Sequence, residues 1–152
     1  MQEEFMREAI KQARKAEGKE EIPVGAVVAL NGKIIAKAHN KKEKTKNSLN
    51  HAEILAMNKA CKKLGQKYLD GCEVYVTLEP CAMCAGAMLN YRIKRLYFGA
   101  WEPKTGCAGS LYNLLTDKRF NHRVEVAGGI LEEECALMLK NFFAQRRKKE
   151  RS

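Results

Sequence analysis

Residues 24 to 30 (VGAVVAL) and 33 to 39 (KIIAKAH) are two apolar runs separated only by Asn31-Gly32. No other local signal narrows the fold as much. A two-residue type I′ turn needs positive φ at both positions, which Asn and Gly tolerate, so the runs pair as an antiparallel hairpin. Before the hairpin, Phe5, Met6, Ala9, Ile10, Ala13 and Ala16 recur at helical spacing, giving an amphipathic helix over residues 2 to 17 that Gly18 ends. After it, helical and strand periods alternate. Residues 51 to 64 (HAEILAMNKACKKL) gather Ile54, Leu55, Met57, Ala60, Cys61 and Leu64 on one side, with Gly65 as the stop. Residues 73 to 78 (EVYVTL) have the β-branched and aromatic content of a strand. Glu79-Pro80 breaks that strand before residues 81 to 89 (CAMCAGAML), which suit a buried helix opened by Pro80. A strand over 94 to 99, a loop around 101 to 110, a short helix near 111 to 115, a strand at about 123 to 127 and a long helix from about 131 complete the order. Strands joined through helices lie parallel, so with the hairpin the expectation is a mixed sheet covered on its faces. That is an α/β architecture, in a single domain spanning residues 1 to 152.

Composition narrows the setting. The first 15 residues mix acids and bases without an apolar stretch, so no secretory signal is expected and the mature chain should begin near Met1. The longest apolar run, residues 81 to 89, has 9 residues, far below the roughly 20 that a bilayer-spanning helix needs. Six cysteines in such a chain read as reduced thiols, with the cytoplasm as the expected compartment. The 28 basic residues exceed the 18 acidic ones by 10, a field that attracts polyanions. Nucleic acid is one reading of that charge, and a soluble basic protein without such a partner is the other.

Cys81 and Cys84 form a Cys-x-x-Cys pair at a helix start, where a spacing of three puts both sulfurs on one face. Redox sites and zinc ribbons use the same spacing. Here Pro80 precedes the pair, and His51-Ala52-Glu53 opens an earlier helix. One imidazole and two thiolates are the three protein ligands of a catalytic zinc, which leaves its fourth position to water. Positions 51 and 53 lie about 200° apart around a helix, yet at a first turn both side chains can converge just beyond the helix end. Zinc with two thiolates polarises water weakly, so a base is needed, and Glu53 is placed to supply it. Taken alone, Glu53 would read as an ordinary acid in a first helical turn. His39 and His122 read as a strand end and a loop residue, Cys61 and Cys135 as core.

His-x-Glu followed by Pro-Cys-x-x-Cys is the signature of zinc-dependent nucleobase deaminases. The chain resembles the bacterial tRNA-specific adenosine deaminases of the cytidine-deaminase-like superfamily. The likeness runs through IPVGAVV (22 to 28), HAEILAM (51 to 57), YVTLEPCAMCAGAM (75 to 88), GCAGSLYNLL (106 to 115), FNHRVEV (120 to 126), LEEEC (131 to 135) and FF (142 to 143). It implies a three-layer α/β/α fold with a mixed central sheet, a homodimer, one Zn2+ per subunit, and conversion of adenosine to inosine at the wobble position of a tRNA anticodon loop. It assigns the metal to His51, Cys81 and Cys84 and proton transfer to Glu53. It further places Asn40 against the flipped-out base, and Lys42, Lys104, Asn121, His122, Phe143 and Arg147 along the RNA loop. Each of these has a plainer reading as well: Asn40 as a turn residue, the lysines as solvated charge, Phe143 as core, Arg147 as a helix C-terminal charge. Two positions depart from the family pattern. Glu102 stands where an aspartate is typical, and Trp101 is unusually large, either stacking on an exposed base or covering a subunit seam.

The metal signature says nothing about the base, so a deaminase of a free nucleobase or nucleoside, of the cytosine or guanine type, is the rival enzyme. Six Lys or Arg against one acid between residues 140 and 152 favour RNA. A non-catalytic zinc-stabilised RNA-binding module is the rival from another class. Glu53 and an open fourth position argue against it.

Overall fold

Asn31 and Gly32 turn with φ of 52° and 75° in the computed structural model, which describes residues 2–151. The turn joins β1 (Gly25–Leu30) to β2 (Lys33–His39), and Leu30 pairs with Lys33 across it. Ahead of the hairpin lies α1 (Gln2–Glu17); after it come α2 (Lys42–Thr45), α3 (Ala52–Leu64), β3 (Glu73–Leu78), α4 (Ala82–Tyr91), β4 (Arg95–Ala100), β5 (Glu125–Ala127) and α5 (Glu132–Arg151). The sheet order is β2-β1-β3-β4-β5. β1 is antiparallel to β2 and β3, whereas β3, β4 and β5 run parallel, with α4 as the crossover from β3 to β4 and an irregular segment joining β4 to β5.

Successive residues of the central strands face opposite ways, and both faces are buried. Ala26, Val28, Val74, Val76, Leu96 and Phe98 point to one side, where Ala56, Met57 and Ala60 of α3 and Ala85 and Met88 of α4 cover them. Val27, Ala29, Tyr75 and Tyr97 point to the other, under Phe5, Met6 and Ile10 of α1 and Cys135 and Met138 of α5. The result is three layers, α/β/α. Tyr75 stacks on Tyr97 with ring centroids 4.6 Å apart, and Phe5 meets Tyr75 edge-on at 5.4 Å. α1 comes so close to β1 that a Cβ at Gly25 would lie 2.0 Å from the Ala9 carbonyl oxygen.

Three expectations need correction. No helix forms at residues 111 to 115; an isolated bridge between Ala108 and Asn113 folds that segment back on itself instead. The Leu111 N–H goes to the Gly106 carbonyl and the Leu114 N–H to the Cys107 carbonyl, neither in an i to i−4 helical register, while Glu79 takes the N–H groups of Ala108 and Ser110 just before them. Pro80 does not open α4: Cys81 is the N-cap, so Pro80 lies outside the helix, its carbonyl accepting the Cys107 N–H at 2.9 Å. The last strand is shorter than 123 to 127, since Val124 donates its N–H to Leu115 O outside the sheet. α2 was not anticipated, being too short to show a period.

Candidate active site

The C-terminal end of β3 leads through Glu79 and Pro80 to Cys81, the N-cap of α4, while His51 is the N-cap of α3. An N-cap residue is extended, so its side chain leaves the helix axis and the azimuth argument between 51 and 53 does not apply. Neither side chain caps its own helix. They meet instead. His51 Nδ1 lies 3.8 Å from Cys81 Sγ and 3.6 Å from Cys84 Sγ. Bond lengths of about 2.3 Å to sulfur and 2.0–2.1 Å to nitrogen at a tetrahedral angle call for an N to S separation of about 3.6 Å. All three ligand atoms lie within 4.8 Å of one another, the one such cluster among the described residues.

The electrostatics of the trio favour a cation. A hydrogen bond from the Cys84 thiol, with His51 also adjacent, lowers the Cys81 pKa to about 3. The Cys81 sulfur and burial push Cys84 far in the opposite direction. The opposite shifts favour the Cys81 thiolate and disfavour a second one beside it. His51 is raised, chiefly by its contact with Cys81. Both helices also direct their N-terminal ends here, adding partial positive charge. Glu53, in the first turn of α3 and only 4% exposed, has its carboxyl pKa raised by burial. A buried carboxyl that holds its proton more readily than usual suits proton exchange near neutrality.

A cavity of about 370 Å³ opens over His51, Cys81 and Glu53, with Cys84 buried behind them, within the range of roughly 300–1,000 Å³ usual for ligand sites. Asn40, expected against the flipped-out base, and Lys42 and Phe143, expected along the RNA loop, line it. Asn40 is 5% exposed and its Oδ1 accepts the Ala52 N–H at 2.9 Å. It therefore caps α3 rather than shaping a turn, and offers a ligand its Nδ2 donor. Phe143 is 38% exposed, so the core reading fails. Arg147 lies one helical turn beyond Phe143 on α5 and is exposed. Lys104 is exposed beside an adjoining groove that shares Cys81 and Thr105 with the cavity. Asn121 and His122 are not brought to it. His122 Nε2 contacts the Ile93 carbonyl at 2.8 Å, before β4 starts, whereas the cavity lies where β4 ends.

Residues 1–147 match the model of the MafB19-like deaminases. A tRNA-specific adenosine deaminase of Bacillus subtilis is 54% identical over 148 residues, covering 97% of this chain and 92% of that protein. The chain belongs to the tRNA-specific adenosine deaminase family. A solved structure from work on A-to-I editing by tRNA:A34 deaminases at the wobble position is 41% identical, covers 90% of this chain and 99% of its own, and superposes with a TM-score of 0.86. A guanine deaminase of Nitrosomonas europaea is 25% identical over 93% of this chain and 84% of its own, with a TM-score of 0.82.

Sequence reasoning missed two residues that shape the cavity of this tRNA-specific adenosine deaminase family member. Glu79, read only as part of a strand breaker, is 3% exposed and lines the cavity. Its carboxylate accepts the N–H groups of Glu102, Ala108 and Ser110 at 2.9, 3.1 and 2.9 Å, and the Ser110 hydroxyl. Burial raises its pKa, but these hydrogen bonds outweigh burial and lower it overall. Gly106 is required beside it, because a Cβ there would lie 2.3 Å from the Glu79 carboxyl carbon. Glu21, 2% exposed, accepts the N–H groups of Glu43 and Lys44 at 3.0 and 2.9 Å and so ties down α2, which carries Lys42. A buried acid in each segment was the available signal. Glu102, the departure from the family pattern, turns its Oε1 to the Lys104 N–H at 3.0 Å.

Proposed function

We propose that this chain hydrolyses adenosine to inosine at the wobble position of a tRNA anticodon loop. The observation that carries the reading is a single cavity lined by His51 and Cys81 of the cluster they form with Cys84, by buried Glu53, and by Asn40, Lys42 and Phe143. His51, Cys81 and Cys84 would hold one Zn2+, whose charge offsets the two thiolates that the bare pocket disfavours. Zinc, when bound, supplies an activated water. Glu53 would move the protons of the reaction, taking one from the attacking water and returning protons to the ring nitrogen and the departing amine. The water oxygen bonds to C6, the bond from C6 to the exocyclic nitrogen breaks, and ammonia leaves. Asn40 directs its Nδ2 donor to the base. Lys42 and Arg147 take phosphates on either side of it.

A homodimer belongs to the same reading. An apolar groove lined by Met83, Leu111 and Tyr112 runs beside α4, with Leu111 52% and Tyr112 68% exposed, which is the chemistry of a surface awaiting a partner. Asn121 and His122, remote from their own chain's cavity, fit the RNA path only through the second subunit. The cytoplasm is the compartment this substrate assigns. No helix among the described residues is long and apolar enough to cross a membrane.

Ammonia release by the purified protein tests the reading. An RNA stem-loop with an unpaired, anticodon-like adenosine should yield inosine, while free adenosine, cytosine and guanine compounds react poorly or not at all. Equal efficiency on a free base or nucleoside overturns the RNA substrate, and no turnover on any of them overturns the enzyme.

A further inference from the structure

Trp101 is the only tryptophan of the chain, and it lines the cavity that holds Glu53 and His51, yet it is 46% exposed. Its position is nevertheless set. The indole meets the buried Phe98 ring at a centroid distance of 4.7 Å with the planes 89° apart. Gly109 lies against it so closely that a Cβ there would be 3.0 Å from the indole. The next residue, Glu102, donates its N–H to Glu79, as do Ala108 and Ser110 further along the same loop. One buried carboxylate thus fixes both ends of the segment that presents the indole.

Glu53 is 4% exposed, so the reacting base must sit deep, and half-exposed Trp101 is not covered by reaching it. A base drawn out of a loop leaves its neighbour without a stacking partner on one side. Proteins that bind unpaired RNA commonly fill such a gap with an aromatic face. Resting on the RNA substrate proposed above, we infer that Trp101 is the stacking surface for the nucleobase next to the adenosine that reacts. Glu79 is a positioning residue that acts through Trp101. An indole already in place receives the base without first being ordered, which keeps the entropy of binding low.

The test uses the metal-loaded protein and stem-loops in which either neighbour of the target adenosine is made abasic. Trp101→Ala should raise KM on the intact stem-loop about 5- to 150-fold, the range for loss of one stacked base, and should lower kcat less. Trp101→Phe should restore most of the loss. One of the two abasic stem-loops should raise the wild-type KM comparably, and Trp101→Ala should then add little. With Glu53→Ala protein, the stem-loop should quench the single tryptophan's emission. Glu79→Gln should raise KM in the same direction and shift the emission of the free protein, because an amide NH2 would face the N–H groups that the carboxylate accepts. If wild type converts the stem-loop but Trp101→Ala leaves KM unchanged, or its effect is the same on every stem-loop, the stacking role is overturned and the substrate stands. If wild type does not convert the intact stem-loop, the substrate reading falls first.

Discussion

His51 and Cys81 hold the same place in two different helices: each is the N-cap residue, extended at φ −74°, ψ 151° and φ −75°, ψ 178°. Cysteine and histidine are poor caps, and neither side chain makes a capping hydrogen bond. Stability is forgone at two helix starts so that an imidazole and a thiol can face each other. Cys81→Ser should therefore separate two effects. Metal analysis should find one zinc per wild-type chain and little or none in the variant. Thermal unfolding of the two metal-free proteins should show the serine variant equal or more stable, by up to about 1 kcal/mol, because serine caps well. A variant that keeps its metal places the ion elsewhere.

Glu53 lies beside this cluster without belonging to it. Glu53→Ala should keep the metal and lose about 10²- to 10⁴-fold in kcat, the usual worth of general acid-base catalysis. Rate and metal content measured on the same preparation decide it. A near-wild-type rate moves the base to another residue.

The Glu79 carboxyl is lowered from 4.5 in the folded chain. A depressed folded pKa adds stability that is present above the unfolded value and fades as pH falls through the folded one. Unfolding of wild type and Glu79→Gln compared from pH 7 down to pH 3 should thus show a gap that is full at the top and narrows toward the bottom. A gap that widens on acidification reverses the sign of the argument.

Lys42 lines the cavity and Arg147 follows Phe143 by one turn of α5. If each takes a phosphate, Lys42→Ala and Arg147→Ala should each reduce the slope of log affinity against log salt by roughly 0.7. Binding of the stem-loop across a salt series reads this directly. Unchanged slopes in both variants would make these side chains bystanders.

The parts of the fold that were legible in the sequence are those that a local period dictates. Asn31-Gly32 set a hairpin because both residues take positive φ, and α1 buries the six apolar residues whose spacing predicted it. The metal trio was legible because its chemistry is written in residue types. The rim was not. Residues 111 to 115 read as a short helix, but the loop leading into them is organised by Glu79, which takes the N–H groups of Ala108 and Ser110 from as many as 31 residues away in sequence. α2 is likewise held by Glu21, 22 and 23 residues away from the N–H groups it accepts. A side chain that organises a remote backbone leaves no periodicity to read. Asn121 and His122 came from resemblance alone, which carries residue roles without saying which cavity they serve.

The two tethers built by Glu21 and Glu79 have an evolutionary consequence. Both grip main chain, so the side chains at positions 42 or 101 can be rewritten without loosening the segments that display them. The floor, made of helix starts set by the sheet, need not register such edits. A lineage can thus explore new substrates by changing the lip of the cavity one residue at a time while the chemistry beneath keeps working. That the Nitrosomonas guanine deaminase shares this architecture at 25% identity is the outcome such a division of labour allows.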